Sequence, residues 1–176
     1  MMDAEDLLGK AILDVAGKMV IAARTAPKTR GRNTIETIVI DGDQINRLAK
    51  RMEALGEKTG AHYFARDAGN VSSSSCILLI GSRIQTMQLP YCGLCGFENC
   101  DTKEQHPEIP CAYNGIDLGI ALGSAVSIAM DHRVDNRIMY TAGMAARDLN
   151  MMGEDIKLVL AVPLSASPKN IYFDRK

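Results

Sequence analysis

The sequence has no excess of charge of either sign and no apolar run long enough to cross a membrane. Its 20 Lys and Arg residues are balanced by 21 Asp and Glu residues, for a formal net charge of −1. The longest stretch that is poor in charge, residues 116–130, is shorter than the roughly 20 residues that a membrane-spanning helix requires. Neither nucleic acid nor a membrane is therefore predicted as a partner.

Several common functional motifs are also absent. The sequence shows no dinucleotide-binding glycine fingerprint and no phosphate-binding glycine loop of standard form. The first residues, MMDAEDLLGK, carry acids where a secretory leader has a basic and then an apolar stretch, which predicts a cytoplasmic protein. His62, His106 and His132 lie far apart in the sequence, so we interpret them as surface or loop histidines and not as an acid–base pair.

Four of the five cysteines lie together in one segment, PYCGLCGFENCDTKEQHPEIPC. Cys92, Cys95, Cys100 and Cys111 are spaced C-x2-C-x4-C-x10-C, and four thiolates are the ligand set of an iron–sulfur cluster. Structural zinc sites more often pair two short hooks across a longer loop, so the spacing favours a [4Fe–4S] cluster. Thiolates also suit zinc, and zinc or a disulfide stays open as an alternative. The remaining Cys76 is predicted to be a buried small hydrophobe.

The order of predicted elements places the cysteines in a loop of a larger domain. With 176 residues, 47% of them hydrophobic, the chain is predicted to form one domain over residues 1–176. Apolar spacing predicts a helix over residues 3–24, and TIETIVI, CILLIG and IKLVLAVP are predicted strands, with CILLIG central and buried. Residues 90–112 follow CILLIG, so we predict that they form a loop inserted between the sheet and the long helix GIDLGIALGSAVSIAM.

Single residues on the predicted helices carry further hypotheses. Asp43 and Thr141 are predicted to cap the helices that follow them. Asp117 is an unusual charge within the long helix, explained either by capping or a loop contact, or by contact with a dimer partner or cofactor. The same helix has one face of three glycines, which either packs tightly in the core or meets a flat cofactor or a second copy of the chain: Gly115, Gly119 and Gly123.

A cationic segment, TAPKTRGRN, follows the first helix. Its Lys28, Arg30 and Arg32 form a local positive patch. The patch is either solvated surface or an anchor for a phosphate or another anion.

The CGLCGFENC motif, Cys111 and the order of elements resemble a small prokaryotic family described as ferredoxin-domain-containing proteins of unknown function. At one remove, AARTAPKTRGRNTIETIVI is similar to the nitroreductases, flavin-binding α+β homodimers in which a helix ends in AAR-x-AP before a polar loop with an Asn and a strand. The glycine-rich helix and IKLVLAVPLS resemble the carboxy-terminal half of that family.

The resemblance implies a nitroreductase-like α+β fold, with a mixed sheet flanked by helices and the cysteine-rich metal-cluster loop inserted, and a homodimer. It places Asn33 where the nitroreductase Asn meets the flavin ring, so FMN is a further expected cofactor. The chain lacks the Arg-Arg-Ser element that holds the flavin phosphate in that family, and Lys28, Arg30 and Arg32 are hypothesised to substitute for it.

Two functions of different classes follow from these observations. The first is an oxidoreductase or electron-transfer protein that passes electrons through a [4Fe–4S] cluster to FMN, to a redox partner protein or to a small-molecule acceptor. The second is a binding or sensory module in which the cluster or a zinc ion is purely structural.

Overall fold

The computed structural model describes residues 3–173, which form one sheet with helices on both faces. The helices of this part of the chain are α1 (Ala4–Thr25), α2 (Asp43–Thr59), α3 (Tyr63–Ser72), α4 (Cys100–Glu104), α5 (Ala112–Asp131) and α6 (Tyr140–Asp148). The strands are β1 (Ile35–Ile40), β2 (Cys76–Arg83), β3 (Asp135–Asn136) and β4 (Ile156–Ser165). Two 3₁₀ turns, Thr29–Gly31 and Ile171–Phe173, complete the described elements.

The strands are ordered β1-β2-β4-β3, and each neighbouring pair is antiparallel. The expectation of an α+β fold with a sheet flanked by helices is confirmed. The expectation of a mixed sheet is corrected, because no parallel pair occurs among residues 3–173.

The central strand β2 is covered on both faces, as its continuous apolar sequence predicts. Leu78 and Ile80 belong to a core cluster formed with α1 and α5, whereas Ile77 and Leu79 belong to a second cluster formed with α2, α3 and α6. Side chains of a strand alternate between its two faces, so each core receives every second residue of β2. The result is three layers with the sheet in the middle.

Cys76 begins β2 and is completely buried, which confirms its predicted role as a small hydrophobe. Burial raises the pKa of its thiol to about 12, so the thiol is neutral at physiological pH.

Both predicted helix caps are wrong. Gly42, with φ of 50°, precedes the first residue of α2, and Asp43 lies inside the first turn, where a carboxylate still interacts favourably with the helix dipole. Met139 holds the cap position of α6. Thr141 is buried within α6, and its hydroxyl donates to Asp67 Oδ2 at 2.8 Å.

The predicted insertion lies between β2 and α5. Residues 84–99 contain no helix or strand, α4 follows, and Cys111 precedes the first residue of α5. In residues 3–173, no helix has the length and apolar character needed to cross a membrane.

Candidate metal centre

The four clustered cysteines line one narrow pocket inside the segment that connects β2 to α5. Cys92, Cys95, Cys100 and Cys111 all border this pocket, and all four are free thiols. Cys111 is buried, and the other three are half-buried. We call residues 90–112 the cysteine loop and the space that they border the thiol pocket. Within residues 3–173, no three His, Cys, Asp or Glu side chains are grouped as a single metal ion requires.

Cys111 occupies the amino-terminal cap of α5, a 20-residue helix. Its side chain forms a capping box with Asn114, whose main-chain N–H donates to the Cys111 main-chain oxygen at 2.9 Å. The positive end of a helix dipole favours negative charge on a sulfur at this position. The local structure therefore suits a thiolate ligand.

Asn114 fastens this cap to the end of β2. Its side chain is completely buried, and Oδ1 accepts from the main-chain N–H groups of Cys111 and Gln85, both at 3.1 Å. Its Nδ2 donates to the main-chain oxygen of Gln85 at 3.0 Å. Asn114 thereby fixes the last cysteine relative to residues 84–89, the segment that leads into the cysteine loop.

The first two cysteines are each followed by a glycine in the left-handed region of backbone space. Gly93 has φ of 89° and Gly96 has φ of 84°, and the N–H of Gly96 donates to the oxygen of Gly93 at 2.9 Å. Other residues rarely adopt such angles. The tight turn brings Cys92 and Cys95 to the same pocket.

Two charged residues of α4 take different environments. Glu104 accepts hydrogen bonds from the Thr86 hydroxyl and the Gln88 amide, and these bonds hold the pKa of its carboxyl below the usual value. Lys103 is only 2% exposed and lines the thiol pocket. Sequence reasoning missed Lys103, because the spacing of charges along a five-residue helix does not indicate which of them faces inward.

The three cations predicted as an anion anchor contact main-chain oxygens. Lys28 Nζ donates to the oxygens of Ala23, Arg24 and Ala26 at 2.8–2.9 Å, at the carboxy-terminal end of α1. Burial lowers the pKa of Lys28, although the nearby Asp117 opposes the shift. Asn33 is exposed.

Arg30 and Arg32 tie the cationic segment to residues 84–89. Arg30 Nη1 donates to the oxygens of Met87 and Gln88 at 3.1 and 2.8 Å, and Arg32 Nη1 donates to the oxygen of Thr86 at 3.1 Å. Thr86 and Met87 also line the thiol pocket. The cationic segment and the cysteine loop are therefore neighbours.

Asp117 makes the loop contact that was one of its predicted explanations. Its carboxylate is 1% exposed and accepts from the Thr29 N–H at 3.1 and 3.2 Å and from the Thr29 hydroxyl at 2.9 Å. A buried carboxylate requires such partners.

The glycine face of α5 points outward. Gly115, Gly119 and Gly123 are exposed, and a Cβ atom added to any of them would meet nothing within 4 Å among the described residues. Tight packing in the core is therefore wrong for this face.

The three histidines are not brought together as a catalytic group. His106 stacks on Phe97 inside the cysteine loop, with ring centroids 5.2 Å apart, and His132 Nε2 lies 3.3 Å from Lys18 Nζ. His62 precedes α3 on the opposite face of the sheet from α5.

The fold is that of the nitroreductases. The chain is similar to nitroreductase A from Vibrio parahaemolyticus, with a TM-score of 0.58 and 10% identity over 89% of this chain and 60% of that one. It is also similar to a nitroreductase with bound FMN from Desulfitobacterium hafniense, with a TM-score of 0.56 and 11% identity over 89% of this chain and 78% of that one. At these identities the likeness shows the fold, and the chain spans less than two thirds of the Vibrio protein.

A relative found by sequence has a much higher identity than these structures. A protein from Archaeoglobus fulgidus is 41% identical over 182 aligned positions, which cover 99% of this chain and 97% of the relative. Residues 108–175 match the profile of a family described as "uncharacterized protein containing a ferredoxin domain". The chain belongs to this family.

Proposed function

We propose that the protein is an iron–sulfur redox protein in which Cys92, Cys95, Cys100 and Cys111 hold a [4Fe–4S] cluster. The observation that carries the proposal is the thiol pocket, which all four sulfur-bearing residues of the cysteine loop border. The family description names a ferredoxin domain, and the matched residues 108–175 include Cys111.

The residues around the pocket fit a thiolate-bound cluster. Four cysteines supply one ligand for each iron, and the cap of α5 favours negative charge on Cys111. When bound, the cluster supplies one-electron redox chemistry. The protein contributes burial and N–H donors to the sulfurs, which set the reduction potential.

Anaerobic reconstitution with iron and sulfide tests this function. We expect about four iron and about four sulfide per chain, with a brown colour that bleaches on reduction. Cys95→Ala should lose this content, whereas the matched control Cys76→Ala should keep it, because Cys76 lies in the core formed with α1 and α5. A wild-type protein that takes up one zinc and stays colourless would contradict the proposal.

The alternative of a purely structural metal has a distinct signature. A structural metal contributes its binding free energy directly to folding. Cys95→Ala should then unfold or aggregate. A folded Cys95→Ala variant that no longer undergoes reduction and reoxidation excludes this alternative.

FMN is proposed as a further cofactor, supported by the similar nitroreductase described with bound FMN. Arg30 and Arg32 use only Nη1 in their hydrogen bonds with the described residues, which leaves Nε and Nη2 of each guanidinium for a phosphate. Asn33 is exposed beside them.

Quenching of FMN fluorescence by the protein measures this binding. Asn33→Ala and Arg32→Gln should each weaken FMN binding about tenfold, the effect of losing one hydrogen bond worth about 1.4 kcal/mol. The exposed Arg133→Gln should have no effect. Equal affinities in the three variants would place any bound FMN elsewhere.

We also propose a homodimer formed through α1 and α5. These helices expose large apolar side chains that a second copy would cover. They are Leu7, Leu8, Leu13 and Ile21 on α1, and Ile116, Ile120 and Met130 on α5. The open glycine face lies on the same side of α5 as Ile116 and Ile120 and permits close approach of another helix.

Sedimentation of the wild type and of Ile120→Glu tests the dimer. A charge at the centre of the covered face should shift the protein to monomer, while Ile138→Glu, which lies outside α1 and α5, should stay dimeric. A wild-type protein that sediments as a monomer at all concentrations contradicts this arrangement.

A further inference from the structure

The thiol pocket is bordered by a lysine that is almost completely covered by the surrounding protein. Lys103 lies in α4, three residues after Cys100, and only 2% of its surface is exposed. Its side chain forms part of the pocket wall. Among residues 3–173, its ammonium has no hydrogen bond or salt bridge. It interacts electrostatically with the adjacent Glu104, whose carboxylate accepts hydrogen bonds from Thr86 and Gln88.

A positive charge with so little access to water is stabilised by negative charge close to it. The pocket wall contains no Asp or Glu. Of its lining residues, only the four cysteines and Tyr113 are able to carry negative charge, and a phenol is neutral at physiological pH. Glu104 interacts with Lys103 from outside the pocket wall, and within the pocket the thiolates and what they hold are the negative charge that Lys103 faces.

We infer that Lys103 is a positioning residue whose buried positive charge stabilises the reduced form of the metal centre and raises its reduction potential. The inference rests on the proposed function. Reduction adds one electron to a centre that is already negative, and a nearby fixed cation stabilises the more negative state more strongly. Because the charge is buried, bulk salt screens it weakly.

Redox titration of the reconstituted protein, followed by visible absorption, measures the effect. Lys103→Met keeps the length of the side chain and removes its charge, and Lys103→Arg keeps the charge. Lys58→Met removes an exposed lysine from the last turn of α2 and controls for the change in net charge.

We expect Lys103→Met to reduce the equilibrium constant for reduction about tenfold, which for a one-electron couple is a shift of about 59 mV to lower potential. Lys103→Arg and Lys58→Met should titrate with the wild type. The difference between Lys103→Met and the wild type should persist at about 1 M salt, where the Debye length is about 3 Å.

Each outcome decides the inference. Equal potentials for Lys103→Met and the wild type overturn it, as does a difference that disappears at high salt. If Lys103→Met does not retain iron, Lys103→Arg decides: retention of iron by the arginine variant supports a requirement for charge, and loss of iron from both shows a packing role and refutes the inference. Failure of the proposed function is separate, since it appears as a wild-type protein without iron and sulfide.

Discussion

The contact between Asp117 and Thr29 allows a quantitative test of how the cationic segment is held. Asp117 is buried on α5, and its carboxylate accepts from both the N–H and the hydroxyl of Thr29. Asp117→Ala removes the acceptor for both donors. The segment is then held mainly by the hydrogen bonds of Lys28, Arg30 and Arg32 to main-chain oxygens.

The expected loss of stability follows from these bonds. A hydrogen bond to a charged group contributes about 1.5–3 kcal/mol. Thr29 is half-buried, so water partly replaces the lost acceptor. We expect Asp117→Ala to lower the free energy of unfolding by about 2–4 kcal/mol. Thr29→Val, which keeps the N–H and loses the hydroxyl, should cost about 1–2 kcal/mol.

Urea unfolding of the metal-free protein, followed by far-ultraviolet circular dichroism, measures these values without the complication of a bound cofactor. The double variant should be less destabilised than the sum of the two single variants, because both remove the same hydroxyl–carboxylate bond. Asp131→Ala is the matched control, since Asp131 is exposed at the end of the same helix.

A second readout is local. If Asp117 holds the cationic segment, trypsin should cut Asp117→Ala after Arg30 or Arg32 faster than it cuts the wild type, under conditions where both are folded. An Asp117→Ala protein with the stability of Asp131→Ala and unchanged cleavage would refute the reasoning.

Two further predictions concern the sheet and its helices. Burial is the main cause that raises the pKa of Tyr172 to about 12, so the stability that the neutral phenol contributes is complete below pH 10, the usual pKa, and is lost as the pH rises through 12. The free energy of unfolding of Tyr172→Phe, measured with urea, should therefore depend less on pH across this range. An unchanged pH dependence would contradict the raised pKa of Tyr172. A Cβ atom at Gly143 of α6 would lie 2.2 Å from the Val159 oxygen, so Gly143→Ala should lower the free energy of unfolding by about 1–3 kcal/mol. Gly69→Ala in α3, which meets nothing within 4 Å, should instead raise it by about 0.5–1 kcal/mol, and equal effects of the two substitutions would show that the close approach is unimportant.

The sequence was most informative where one local pattern determines the structure. The helix predicted over residues 3–24 is α1, Ala4–Thr25, because its apolar spacing matches the helical period. CILLIG is part of β2 because a continuous apolar run suits a strand with helices on both faces. The predicted insertion also follows from order alone, since the cysteines lie between this strand and the long helix.

Prediction from the sequence failed where neighbouring residues compete for the same structural position, and where contacts between distant segments decide the structure. The capping preference of Asp predicts Asp43 as the cap of α2, yet Gly42 precedes it and adopts the positive φ that the turn requires. Thr141 has the same preference for caps, but the buried carboxylate of Asp67 needs a donor and the Thr141 hydroxyl supplies it. The spacing of the α5 glycines defines a face, but only tertiary packing determines that it points outward.

Residues 84–89 explain why the two candidate cofactor regions are related, although they are about 60 residues apart in sequence. This segment accepts from Arg30 and Arg32 on one side, and it is bonded to Asn114 and Glu104 on the other. Most of these bonds involve its main chain, so they do not depend on which side chains it carries. The cationic segment and the residues that flank the cysteines are therefore bonded to the same short stretch of chain. If the proposed cluster and the proposed FMN both bind, this segment is the structural connection between their two sites.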